Sequence, residues 1–143
     1  MFICDEKATA QAVKLIKELT KLMDGDFRIQ IDKYPFSLHY WVRNLKEDIA
    51  HFQLVQQANC CGILVSTDTW VKDNYQKMGV AQEMMKLKEA LAKEFGFSCL
   101  LATVNMTGNP AEVHILEKFG WSCVSSFKNS RTTNKVGIFT KNL

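Results

Sequence analysis

The sequence predicts a mixed α/β domain (α+β), in which an antiparallel meander passes into a parallel strand–helix–strand crossover. Three observations carry this. Between Phe36 and Val71, short runs rich in aromatic and β-branched residues alternate with polar turns. The run ending at Val71 leads through a loop to a stretch from Val80 to Phe95 with apolar residues at helical spacing. Next, Phe97-Ser98-Cys99-Leu100-Leu101-Ala102-Thr103-Val104 is nearly continuous in apolar residues, as a strand buried on both faces would be. That order of elements favours a right-handed parallel crossover.

The elements follow in order. Residues 2–4 are read as a short strand. From Lys7 to Met23, Ala12, Val13, Leu15, Ile16, Leu19 and Met23 recur with helical period, and Asp24-Gly25-Asp26 stops the helix. Phe27 to Ile31 alternates as a strand does, and Phe36 to Val42 does so more strongly. Asn44 to Asp48 is a polar turn, Phe52 to Val55 a further strand, and Gln56 to Asn59 a second turn. Gly62-Ile63-Leu64-Val65 continues through Thr67, Thr69 and Trp70 to Val71, completing the meander. In the helix after the loop, Met84, Leu87, Leu91 and Phe95 form the apolar stripe. Lys86, Glu89, Lys93 and Glu94 are assigned to solvent, with Glu89 and Lys93 as an i,i+4 pair. Gly96 ends that helix. Asn109-Pro110-Ala111-Glu112 opens another: Asn as cap, Pro at the first helical position, Glu three after the cap. It closes at Phe119-Gly120. Trp121 to Phe127 and Val136 to Thr140 read as two strands.

Length and composition set limits. The chain has 143 residues, which suits one domain spanning 1–143. It is 47% apolar and 23% charged, as ordinary water-soluble proteins are. The longest apolar run, near Cys60 to Val65, is far too short to cross a membrane. Asp5-Glu6-Lys7 interrupts the N-terminus, so no signal-peptide core is read and a cytoplasmic protein is expected. Five cysteines (Cys4, Cys60, Cys61, Cys99, Cys123) form no C-x-x-C pair, which suggests free thiols in a reducing compartment. Cys99 and Cys123 lie in apolar runs and are assigned to core packing. His39, His51 and His114 are isolated in sequence, and no metal site is expected. The net charge is +3, with no acidic residue after Glu117; the simplest reading of that tail is a solvated basic edge. No motif points to specific nucleic-acid recognition.

The loop carries the chemistry. Gln76-Lys77-Met78-Gly79-Val80-Ala81 spells Q-x-x-G-x-A between a strand and a helix. Such a loop leaves backbone N–H groups unpaired at a helix N-terminus, a ready anion site suited to a pyrophosphate.

In this order and spacing the sequence resembles the GNAT superfamily of acyl-coenzyme A-dependent N-acetyltransferases. Val71 and the Q-x-x-G-x-A loop match a strand ending in Val before R/Q-x-x-G-x-G/A. Gly96-Phe97 and the strand Cys99 to Val104 follow as in that family. Asn109, then Glu117-Lys118-Phe119-Gly120-Trp121, matches a short helix closing in E-K-x-G-F. The likeness is specific over about residues 60–127. It implies a twisted mixed sheet flanked by helices and splayed between strands 4 and 5, with acetyl-coenzyme A as cosubstrate and no metal. Backbone groups of Met78, Gly79, Val80 and Ala81 would take the pyrophosphate. Gln76 stands where relatives often carry Arg, the backbone near Val71 would hold the pantetheine arm, and Asn109 would border the cofactor. The implied reaction is direct attack of a primary amine on the thioester. Asp68 is the candidate base and His114 the weaker candidate. The leaving-group acid of many relatives, a Tyr seven residues past the capping Asn, is Leu116 here. Tyr34, Phe36, Tyr40 and Trp41 could line an acceptor pocket or pack on the sheet. The acceptor is a small molecule or a protein, without membrane or specific nucleic-acid partners, and relatives often form homodimers. The chain is also similar to small GNAT-like bacteriophage proteins, some of them virion components. That likeness and the Leu116 departure imply one alternative, a silent structural or interaction protein; a third reading, an acyl-coenzyme A sensor, goes with the intact loop.

Overall fold

The computed structural model describes residues 5–23, 25–57 and 59–143, with side chains from residue 10 onward. The strand read at residues 2–4 lies outside them. Helix α1 (Asp5–Leu22) precedes β1 (Arg28–Tyr34), β2 (Ser37–Arg43), β3 (Asp48–Gln56) and β4 (Ile63–Val71). A single 3-10 turn (Asp73–Tyr75) leads to α2 (Val80–Glu94), and β5 (Cys99–Asn105), α3 (Pro110–Lys118), β6 (Ser122–Lys128) and β7 (Lys135–Asn142) complete the chain. The strands form one mixed sheet in the order β1-β2-β3-β4-β5-β7-β6. The first four are the expected antiparallel meander, and β4 and β5 pair in parallel across the α2 crossover.

Alternation decides which side of the sheet is core. Along β2, Leu38, Tyr40 and Val42 are buried while the residues between them are half-buried. Phe52, Leu54, Leu64, Leu100, Val104 and Phe139 join them in one core, with Leu15 and Leu19 from α1 and Met84 and Leu91 from α2. Tyr40 stacks on Phe52 with ring centroids 4.9 Å apart.

Two features open the middle of the sheet. The β4–β5 pairing covers only Ile63–Val65 against Cys99–Leu101. Beyond it the strands part, while β5 stays paired to β7 over its whole length. On the other side of β4, His51 faces Trp70 but Gln53 faces Thr67, so Asp68 and Thr69 share a bulge opposite Phe52. Asp68 has φ +50°, left-handed backbone that Asp adopts more readily than most residues. A bulge bends and twists its strand, and here it accompanies the separation of β4 from β5.

Three expectations are corrected. β3 starts at Asp48, where the Asp48 carboxylate meets Arg43 Nε at 2.5 Å. Glu89 is half-buried and pairs with Lys141 Nζ at 2.7 Å instead of with Lys93, because β7 passes that face of α2. Cys123 is exposed: it lies on the edge strand β6, all of whose residues are exposed. Among the described residues, no helix is long and apolar enough to cross a membrane.

Candidate active site

Where β4 and β5 part, a cleft of about 450 Å³ lies between the end of β4, the N-terminus of α2 and the first turns of α3. Its size is that of a small-molecule site. Thr69, Val71, Gln76, Gly79 and Ala81 line one side and Asn109, Glu112, His114 and Ile115 the other.

Side chains at its back set the loop. The Tyr75 hydroxyl donates to Glu47 Oε1 (3.1 Å) and accepts from Asn44 Nδ2 (2.8 Å), and Lys72 pairs with Glu47. These contacts tie the loop to the β2–β3 turn, so Tyr75 is a structural residue here. The Gln76 amide donates to the Val71 carbonyl at 2.9 Å and to Asp73 Oδ1 at 3.2 Å. It braces the loop against the end of β4. Gly79 caps α2 at φ +89°, and a Cβ there would lie 3.1 Å from Leu22 Cδ1. Both the backbone angle and α1 behind it therefore favour glycine. The Glu83 N–H bonds to the Gly79 carbonyl at 3.1 Å. Val80, Ala81 and Gln82 thus open the helix with N–H groups that have no intrahelical acceptor, at the end of a helix that favours negative charge. The Met78 side chain is exposed and that of Val80 is buried, so these two bring backbone to the loop.

Across the cleft, the Asn109 side chain accepts from the Glu112 N–H at 3.3 Å and donates to Glu112 Oε2 at 2.9 Å. The cap is the one the sequence spelled. Burial pushes the Glu112 carboxyl up, and the charge of Lys88 partly opposes this. His114 is exposed on the cleft rim. Leu116 points into the core, only 3% exposed.

Lys88 had been hidden within the α2 pattern. It lies four residues after Met84, on the buried face, and is 2% exposed. Its Nζ donates to Thr69 Oγ1 at 2.8 Å and stands 5.1 Å from the centre of the Phe52 ring. Burial pushes its ammonium down to about 8. Its place in the helical stripe was the available signal.

Asp68 stands beside the cleft-lining Thr69, on the opposite face of the sheet from α2. Its side chain is 64% exposed, and Oδ2 lies 3.4 Å from Nδ1 of the buried His51. His51 Nδ1 is also 2.8 Å from the Asp68 carbonyl. A carbonyl only accepts, so that nitrogen carries the hydrogen, and His51 Nε2 is left to accept from His39 Nδ1 at 3.3 Å. Burial, then the neighbouring His51, hold His39 below its ordinary value. These two histidines, isolated in sequence, are thus brought together: Trp41 faces His51 across β2–β3, which sets His39 diagonally beside it. Trp41 and Trp70 flank the pair, Trp41 Nε1 donating to Asp32 at 3.0 Å. The four aromatic residues read as one cluster divide. Tyr40 is core, Trp41 joins the histidines, and Tyr34 and Phe36 are exposed.

A family model described as the acetyltransferase (GNAT) family matches residues 14–121, well over half of the chain. The chain belongs to that family. As a GNAT member it is an acetyltransferase. No curated protein matches it. Among solved structures, a GNAT acetyltransferase from Elizabethkingia anophelis with acetyl-CoA bound is 13% identical at TM-score 0.70, over 85% of this chain and 100% of that one. An IAA acetyltransferase from Bacillus cereus is 12% identical at TM-score 0.67, over 82% and 100%. The ribosomal-protein-S18-alanine N-acetyltransferase from Escherichia coli is 12% identical at TM-score 0.65, over 88% and 75%. At these identities the neighbours establish the fold alone.

Proposed function

We propose that residues 1–143 form one N-acetyltransferase domain that uses acetyl-coenzyme A and a primary amine. The observation that carries this reading is the cleft where β4 and β5 part, with the unpaired N–H groups of α2 at its mouth. The residues fit the cofactor. Backbone N–H groups from Met78 to Ala81 would bind its pyrophosphate. The Val71 backbone would align the pantetheine arm, with Gln76 bracing the loop and Asn109 and Ala111 forming the far wall. Bound acetyl-coenzyme A supplies a thioester whose carbonyl carbon is open to an amine.

The chain's own task is to move protons and hold the amine. At neutral pH a primary amine is mostly an ammonium, so a base must act before attack. Asp68 is exposed at the bulge and next to the cleft wall, which suits it to take that proton. His51 behind it, its Nδ1–H on the Asp68 carbonyl and 3.4 Å from the carboxylate, would hold that carboxylate at the bulge. His114, on the rim, is the alternative.

The test is to incubate the purified chain with acetyl-coenzyme A and a panel of small amines and peptide amino termini. Thiol release and acetylated product are then followed together. The reading expects release that depends on the amine and vanishes in Gly79→Glu. Tight cofactor binding without release for any amine would instead favour a sensor or a structural protein.

A further inference from the structure

Transfer from a thioester leaves a thiolate, and that sulfur needs a proton. We propose that Thr69 is the catalytic donor of this proton and that Lys88 behind it is the positioning residue that makes it a donor. The inference rests on the cleft being the acetyl-coenzyme A site.

The bulge is what places Thr69. Asp68 is the extra residue, so Thr67 and Trp70 stay on the His51 side while Thr69 turns toward α2. Thr69 lines the cleft, and Lys88 Nζ donates to its hydroxyl oxygen at 2.8 Å from inside the protein. An ammonium can only donate, so the hydroxyl keeps its own hydrogen for another acceptor. The cleft is where such an acceptor would sit. Lys88 lies eight residues after Val80 along α2, about 12 Å below the anion-binding end at 1.5 Å per residue. The donor is therefore well down the cleft from the phosphates, toward the reacting end of an extended arm.

The surroundings of Lys88 are not those of a structural ion pair. β3 and β4 present Phe52 and Thr69 to it, and α3 presents Glu112, which acts on it through space. Among the described residues no carboxylate lies within ion-pair distance of its Nζ. A buried ammonium with so little compensation is costly to a fold. Its ammonium, held at about 8, is close to the ordinary thiol value of about 8.5, the matching that favours proton transfer.

The step balances as follows. The amine nitrogen forms the new C–N bond and the C–S bond breaks, its electron pair going to sulfur. The Thr69 hydroxyl proton moves to sulfur and a Lys88 proton moves to Thr69. The ammonium substrate loses two protons in becoming an amide. One is matched by that given to sulfur and returns to Lys88 through the cleft; the other leaves by way of the base.

The experiment compares wild type, Lys88→Met, Thr69→Val and Thr69→Ser. Each is titrated with coenzyme A, with desulfo-coenzyme A as the blank, and ultraviolet absorbance of the thiolate gives the thiol pKa of the bound cofactor. In wild type and Thr69→Ser that thiol is expected at least about one unit below its ordinary 8.5. In Lys88→Met and Thr69→Val it should return upward while coenzyme A affinity holds. In turnover, the same two variants should lose about 10-fold or more in kcat with little change in KM for acetyl-coenzyme A. An unshifted thiol in wild type, or Thr69→Ser as defective as Thr69→Val, would overturn the relay alone. If wild type does not bind coenzyme A, the reading of the cleft fails and takes the relay with it.

Discussion

The cost of Lys88 to the fold can be read from pH. Its ammonium titrates near 10.5 when free and at about 8 here. Between those values the unfolded chain binds more protons than the folded one, so stability rises with pH across that window. Below it the full penalty stands, about 3 kcal/mol for a shift of this size. Lys88→Met should therefore raise stability at pH 7, by on the order of 2 kcal/mol once the lost hydrogen bond is counted. The gain should fade as pH climbs toward 10, as urea unfolding at the two pH values will show. An equal gain at both would contradict a buried charge. Asp68 makes a second prediction. Asn tolerates the left-handed backbone at φ +50° nearly as well as Asp, so Asp68→Asn tests charge without disturbing the bulge. Transfer should fall about 100-fold or more at neutral pH, less at high pH where the amine is already neutral, with cofactor binding unchanged. A wild-type rate would remove Asp68 from the reaction. At this scale the sequence was only partly readable. Gly79 and Asn109 were found because their reasons are local, a positive φ and a helix cap. Thr69 and the His39–His51 pair were not, since their roles depend on a bulge and on strand register that no short stretch of sequence records; the burial of Lys88 was marked by its place in the helical stripe, its partner Thr69 was not.

The loop and the bulge are the two elements that make a cleft out of a sheet. The loop is held by Tyr75 and Lys72 on Glu47 and by Gln76 on the Val71 carbonyl, and the N–H groups at the start of α2 remain without intrahelical acceptors beside the cleft. Gly79→Glu would put bulk against Leu22 and negative charge at the anion position. The folded variant should lose acetyl-coenzyme A binding by calorimetry; retained affinity would place the phosphates elsewhere. The element α3 makes a further prediction. Leu116 is core, so Leu116→Tyr should overpack it and cost about 1–3 kcal/mol in thermal unfolding. It should not restore an acid at the cleft. An undamaged variant with faster transfer would show that position 116 can reach the reacting atoms. Helix limits and caps were legible because period and punctuation are local. The partners of Glu89 and the exposure of Cys123 were not, because β7 and the free edge of β6 decide them.

For the whole molecule, the order from β1 to β5 follows from rules that sequence does carry, whereas the placing of β7 between β5 and β6 does not. Hairpins pair neighbours, and a strand–helix–strand unit closes in parallel. The splay does not follow from them. Pairing of β4 with β5 stops after Val65 although apolar residues continue along β5, and the cleft depends on that early stop. One measurement bears on this most directly: the melting temperature of the purified chain with and without millimolar acetyl-coenzyme A. Ligand at about 100 times its dissociation constant adds about 2.7 kcal/mol of stability. For a domain of this size that is a rise of about 5–10 °C. The rise should be present in wild type and absent in Gly79→Glu. A melting temperature that acetyl-coenzyme A leaves unmoved in wild type would contradict the assignment of this cleft.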